Sequence, residues 1–307
     1  MKNNFFIKIL LILFALGSVF FILSYINYTQ IPILAESKMC ECDQASKDPY
    51  SKPLIYTYGR FKGQCVSNCF HRSTQFVISE TLKNKRNEIQ IANVFHNNKF
   101  WRATVDVDSL KTSEIIFEKF AWNINHVSIR FVFSKPISLE SQDLLLGPKK
   151  TKLMDSSLVF SPEAALPKNK IYNLVDGFMG RYGFIYKAYS FETYRKIAKQ
   201  LDHPSKILPL NLDSKESQAL FVASFLKANE RPLQTYQLVF NNCATASIDL
   251  ILDSKKLLLS KGWDVWDIID PLRGIPSDIY LGTLRSLYWW NLIDDRLTEE
   301  QSEPSKS

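Results

Sequence analysis

Residues Ile9 to Ile26 read ILLILFALGSVFFILSYI, and none of them carries a charge. This run restricts the folds open to the chain more than any other feature. Its 18 residues are long enough to cross the hydrocarbon core of a bilayer, whereas the apolar region of a cleavable leader is usually shorter. Lys2 and Lys8 precede the run, and no small-residue cleavage site follows it closely; Ile33-Leu34-Ala35 is a poor match. A lipoprotein signal needs small residues just before its Cys, and Lys38 and Met39 stand there before Cys40. The expectation is an uncleaved anchor over residues 1–30. It makes a single pass through the inner (cytoplasmic) membrane, with the lysines inside and the bulk of the chain extracytoplasmic. A buried core helix is the competing reading, and the terminal position and flanking charges weigh against it.

Composition narrows the class further. The chain has 307 residues, of which 46% are apolar and 22% charged, so it is neither disordered nor collagen-like. Lys plus Arg number 38 against 31 Asp plus Glu, a surplus of +7 that is spread along the chain rather than gathered in a block. Nucleic acid is therefore not an expected partner; mild attraction to anionic lipid or wall polymer fits the same charge.

Cysteine usage agrees with an exported chain. Cys40, Cys42, Cys65 and Cys69 cluster near the N-terminus, and Cys243 stands far away. In an oxidising compartment the four can form two disulfides in any of three pairings. Zinc is the rival, with His71 close to Cys65 and Cys69, but the spacing is not a standard zinc pattern. No metal and no cofactor is expected. Cys243 is then either a free thiol with a function or an inert buried one.

Along the chain, residues 31–111 are expected to form a tether and a small β-rich module stapled by those cysteines. Its strand-like runs are Leu54–Tyr58, Gln75–Ile78 and Trp101–Val107. From about Ser113 the pattern changes. His126 to Phe133 alternates, with Val127, Ile129, Phe131 and Phe133 on one face and His126, Ser128 and Arg130 on the other, which predicts a half-buried strand. A Gly-rich turn spans Gly177 to Gly183, with a strand-like Phe184-Ile185-Tyr186 after it. Asp213-Ser214-Lys215-Glu216 predicts a capping box opening an amphipathic helix. Tyr236 to Phe240 reads as a short extended segment, broken by Asn241-Asn242 before a helical stretch from Cys243 to Leu252. The aromatic stretch Tyr280–Trp290 suits either a core or a lipid-facing helix. Residues 298–307 form a polar tail. There is no internal repeat.

The chemistry-bearing residues are few. Asn caps helices well, so Cys243 is expected in a first helical turn, where the helix dipole and free N–H groups favour the thiolate. A thiolate is a good nucleophile, and the same N–H groups can hold an oxyanion. A nucleophilic Cys needs a base. Among four histidines, His126 on the polar face of a strand is the best candidate, ahead of His71, His96 and His203. Taken singly, a Cys at a helix start and a His on a strand are more often structural.

Three segments in order resemble the Lnb-like N-terminal periplasmic domain family. They are His126-Val127-Ser128-Ile129-Arg130-Phe131, then Gly177–Gly183, then Phe240-Asn241-Asn242-Cys243-Ala244-Thr245; Ile275-Pro276-Ser277-Asp278 resembles the Pro-Asp segment that follows in that family. The likeness covers roughly residues 113–285 and leaves out the anchor and the stapled module. The family is similar to circularly permuted papain-like thiol enzymes, in which the His strand precedes the Cys helix. The resemblance implies an α+β fold, with a permuted papain-like domain over residues 112–297, and a catalytic pair of Cys243 and His126. It also implies acyl transfer on lipoproteins through an acyl-thioester. Glu140 or Asp155 is a candidate to orient the His. Asn242 is a candidate to fix the turn or donate to an oxyanion, and Arg130 and Tyr182 are candidates to meet substrate. Structural roles suit each of these as well.

Three functions fit this reading. The first is a membrane-anchored Cys–His acyltransferase or thioesterase-type enzyme acting at the bacterial membrane on lipoprotein or phospholipid acyl esters. The second is a cell-wall peptidase or amidase with the same dyad. The third is a non-catalytic, membrane-tethered binding module.

Overall fold

The computed structural model of the chain describes residues 11–22, 32–37, 40, 50, 53–66, 72–77, 88–121, 124–142, 150–153, 156–229, 235–238 and 241–259. Helix α1 covers residues 11–22. A two-stranded sheet pairs β1 (Leu34–Glu36) with β2 (Leu54–Tyr56). The main sheet has eleven strands. They are β3 (Gln75–Val77), β4 (Glu88–His96), β5 (Lys99–Asp106), β6 (Leu110–Ala121), β7 (Ile124–Phe133), β8 (Ser138–Ser141), β9 (Lys150–Lys152), β10 (Ser157–Ala165), β11 (Tyr182–Ser190), β12 (Ser205–Pro209) and β13 (Thr235–Tyr236). Their order is β12-β6-β7-β10-β11-β4-β5-β8-β9, with β13 added on β11 and β3 on β4. Every pairing is antiparallel except β11 with β4.

Among the described residues this α+β fold has four more α-helices: α2 (Leu174–Phe178), α3 (Phe191–Gln200), α4 (Ser214–Asn229) and α5 (Cys243–Leu259). Helices α4 and α5 pack on one face of the sheet, where Phe131, Phe160, Phe221, Phe225 and Ile251 are fully buried. Helix α3 covers the other face with a second cluster: Phe95, Ile116, Val159, Tyr189, Phe191 and Tyr194. The strand expected over His126–Phe133 is therefore not half-buried. Its apolar face is buried as expected, but Ser128 on the polar face is also fully buried, because α3 lies over it. The capping box of α4 forms as the sequence predicts. Asp213 N–H donates to Glu216 Oε2 and Glu216 N–H to Asp213 Oδ1, both at 2.8 Å.

The separate module expected over residues 31–111 is corrected. Among the described residues β1 and β2 stand apart, and β3, β4 and β5 belong to the main sheet. The edge of β11 needs a partner, and β4 supplies it through Ala188↔Val94 and Tyr189↔Phe95. The small sheet is itself tied in. The Tyr56 hydroxyl donates to Ala165 O and accepts from Gly183 N–H (3.0 Å), closing the last rung between β10 and β11. Of the expected disulfides, Cys40–Cys65 is present, with an S–S length of 1.99 Å. Cys42, Cys69 and His71 lie outside the described residues, as do the tether over most of its length, the stretch 275–290 and the tail.

Nine large apolar side chains of α1 are exposed, Phe14 at 75%. No helix among the described residues is long and apolar enough to cross a membrane. The ends of the expected span, residues 9–10 and 23–26, lie outside them.

Phe221 ties α4 to the sheet: it is fully buried, and its ring meets Phe131 (5.0 Å) and Phe133 (5.3 Å) of β7 and Phe225 (4.9 Å) of α4. Phe221→Ala is expected to cost about 3–5 kcal/mol, read by denaturant unfolding. A cost under about 1 kcal/mol would contradict this packing.

Candidate active site

Helix α5 begins at Cys243, and the two residues before it build the turn. Buried Asn242 accepts on Oδ1 from the N–H groups of Ala244 (2.8 Å) and Thr245 (3.1 Å), as an N-cap does. Its Nδ2 donates to Leu238 O (2.7 Å). Asn241 donates through its backbone N–H to Gln237 O (3.0 Å) and through Nδ2 to Thr235 O (2.9 Å). Both Asn side chains are thus committed to holding the sulfur at the helix start.

The sulfur meets β7 where the sheet opens. β7 pairs with β6 from end to end, but with β10 only as far as Ile129, opposite Phe160. Beyond that rung, Val127 N–H donates to the Cys243 sulfur. Ser247, one helical turn later, donates to Val127 O (3.4 Å). The first turn of α5 replaces the departed strand as partner to Val127. The sulfur is thereby set beside the preceding residue, His126.

His126 and Cys243 are hydrogen-bonded, and each shifts the other. Burial pulls the His126 pKa down, but the Cys243 charge and hydrogen bond, then the Glu163 and Glu118 carboxylates, outweigh burial and raise it to about 9. Burial likewise pushes the Cys243 thiol up, yet the His126 charge and hydrogen bond, with donation from Val127 N–H and Tyr236, bring it below its usual range. The resting state these shifts favour is thiolate and imidazolium. Nε2 of His126 lies 2.7 Å from Ser161 Oγ on β10, which leaves Nδ1 for the sulfur. Ser161 also accepts from Ser128 Oγ (3.2 Å).

Two carboxylates stand near the ring, and each is braced by a basic side chain and a tyrosine. Glu118, opposite His126 on β6, holds His203 Nδ1 (2.7 Å) and Tyr194. Glu163 on β10 holds Lys187 Nζ (3.2 Å) and the Tyr189 hydroxyl (2.8 Å). On the other side of the sulfur, the Tyr236 hydroxyl bonds both Cys243 and Tyr172. A hydroxyl has one proton and the anionic sulfur is the stronger acceptor, so Tyr236 donates to sulfur, with the Tyr172 hydroxyl beside it. Gly177 makes this possible, since a Cβ there would collide with the Tyr172 hydroxyl.

Cys243 and His126 line a cleft of about 480 Å³. Tyr172, Tyr236, Ile197 and Leu201 give it apolar walls, and Glu118, Glu163 and Lys187 a polar floor. A nucleophile, a proton carrier and helix-end donors meet at an apolar slot, which suits attack on an acyl carbonyl. Among the described residues no group of three His, Cys, Asp or Glu is placed to hold a metal.

Other candidates from the sequence fall elsewhere. Glu140 sits on β8, five strand positions from β7 across the sheet, and cannot orient His126. Ser161 holds that ring instead. Asp155 lies outside the described residues. Arg130 does share the His126 face, but it is occupied by Glu114 (3.0 Å), by Ser157 (3.1 Å) and by the Phe191 ring, 3.6 Å below its guanidinium. It does not line the cleft. Tyr182 is buried behind the cleft between Phe61 and Tyr172, its hydroxyl accepting from Asn173 N–H (3.0 Å). His96 bonds Ser190 Oγ (2.7 Å), away from the sulfur. Ser161, Glu163 and Glu118 were legible only through alternation in β10 and β6, where Ser157, Ser161 and Glu163 share one face, as do Glu114 and Glu118. Tyr172 and Tyr236 carry no sequence signal of their role.

Fold and site together define an α+β protein with a hydrogen-bonded Cys–His pair presented from a helix end and a strand start. The chain belongs to the Lnb N-terminal periplasmic domain family, which matches residues 97–273 and so takes in both His126 and Cys243. The family is consistent with an extracytoplasmic location. No curated protein and no solved structure matches the chain.

Tyr236→Phe removes one donor to the sulfur and keeps the ring. Its iodoacetamide alkylation profile is expected to move to higher pH than that of the wild type, because the thiolate loses a hydrogen bond. An unmoved profile would remove Tyr236 from the site's electrostatics.

Proposed function

We propose that this chain is a membrane-anchored, extracytoplasmic Cys–His acyltransferase or thioesterase-type enzyme acting on lipoprotein or lipid acyl esters. The observation that carries the reading is the Cys243–His126 pair, its thiol lowered and its imidazole raised, at the wall of an apolar cleft. Family membership supports it, and so does the order of the elements: the His strand precedes the Cys helix, as in permuted papain-like enzymes. The charge-free run Ile9–Ile26 supports a single-pass anchor in the inner membrane.

The chemistry follows from the contacts. The Cys243 sulfur attacks the ester carbonyl; a C–S bond forms and the carbonyl electron pair moves to oxygen. The Cys243 N–H, at the helix start, is the donor assigned to that charge. As the oxyanion collapses, the C–O bond breaks and the departing alkoxide takes the Nδ1 proton of His126. Neutral His126 then accepts a proton from an amine or a water attacking the thioester, and the thiolate leaves. Ser161 acts as a positioning residue, keeping Nδ1 turned to the sulfur.

Mass spectrometry of lipoprotein N-termini is the test. Cells expressing the chain are expected to show an altered acyl pattern that Cys243→Ala abolishes, with turnover falling about 10⁴-fold or more. Muropeptide release instead would favour the peptidase, and an effect that survives Cys243→Ala would favour a binding module.

With a soluble ester, kcat/KM is expected to rise on the acid side as the lowered thiol ionises and to fall as His126 loses its proton at about 9. Ser161→Ala is expected to lower kcat about tenfold at unchanged KM and to shift the alkaline limb. A pH-independent rate would contradict the assignment.

A further inference from the structure

Beside the cleft, the chain between β10 and β11 projects as a knuckle whose tip is apolar and exposed. Ile171 is 91% exposed, Val175 63% and Leu174 40%. Exposed large apolar side chains in a group mark a surface that meets something. The knuckle is built to be firm. Lys168 N–H donates to Cys65 O (2.7 Å), the carbonyl of the disulfide cysteine, and Pro167 bridges Val66. Asn173 caps α2 by accepting from Val175 N–H (2.9 Å) and Asp176 N–H (3.2 Å).

Two further observations identify the partner. The first is charge. From Leu166 to Gly183 the only carboxylate is Asp176, against Lys168, Lys170 and Arg181. Asp176 is already held by Arg181 (2.7 Å) and Arg60 (3.6 Å). Lys168 and Lys170, both exposed, flank the apolar tip. The second is continuity. Phe178 of α2 meets Phe20 of α1, ring centroids 6.1 Å apart, so the tip adjoins the exposed apolar face of α1. Phe20 lies in the second half of the Ile9–Ile26 run, on the side of the run nearer the folded domain. An apolar tip ringed by lysines and continuous with an apolar helix matches an anionic bilayer surface.

We infer that the knuckle docks into the outer face of an anionic phospholipid membrane, with Ile171, Leu174 and Val175 among the acyl chains and Lys168 and Lys170 at the phosphates. Tyr172, inside the knuckle, lines the cleft, so docking brings a wall of the cleft to the lipid surface. The purpose of this arrangement rests on the acyl chemistry proposed above; the docking itself does not.

The test uses the full chain in lipid nanodiscs containing phosphatidylglycerol. Val175→Trp and, separately, Ile171→Trp place an indole at exposed positions that tolerate it, and brominated acyl chains quench an indole that reaches them. Both variants are expected to lose most of their added emission in brominated discs, and Lys168→Glu/Lys170→Glu to weaken that quenching. Added emission that bromination leaves unchanged at both positions would overturn the docking and point to a protein partner or a second copy on this surface. Release of acyl groups from a bilayer ester by the wild-type chain is measured in the same discs. Quenched reporters without turnover remove the catalytic reading and keep the docking; turnover with unquenched reporters does the reverse.

Discussion

The sulfur of Cys243 and the imidazole of His126 can share a proton because α5 docks end-on against β7 where β10 leaves it. A strand that loses its neighbour must find other partners for its N–H and C=O groups. Val127 finds both in one helical turn, the Cys243 sulfur and the Ser247 hydroxyl. That exchange fixes the height of α5 on the sheet. His126 is the next residue, so its ring is placed by the backbone rather than by a flexible loop.

Around that contact the structure arranges opposing pressures. Burial alone favours a neutral thiol and a neutral imidazole. The pair resists it with mutual charge, with donors from Val127 and Tyr236, and with the braced carboxylates Glu118 and Glu163 on the imidazole side. Each brace is itself satisfied, by His203 and Tyr194 or by Lys187 and Tyr189. A polar group left unpaired at this depth would cost more than the pair gains.

Local signals in the sequence carried far. Alternation located β7 and its buried face, the capping box located α4, and the Asn-Cys step located the start of α5 with its sulfur in the first turn. Non-local pairing was not legible. Nothing in residues 75–106 announces that β4 will run parallel to β11, so a self-contained module was the natural expectation. Glu140 failed as the orienting group for the same reason: its distance from His126 is set by strand order. Ser161 carried only the alternation of β10, because a buried serine on an interior strand looks like any small residue until its neighbour is known.

The most direct measurement is the protonation state of His126 across pH, by isotope-edited NMR of its imidazole in the wild type and in Cys243→Ala. The account predicts an imidazolium at neutral pH that titrates near 9 in the wild type. It predicts a lower titration in Cys243→Ala, where burial is no longer opposed by the thiolate. A neutral ring at neutral pH in the wild type, or a titration that the substitution leaves in place, would contradict it.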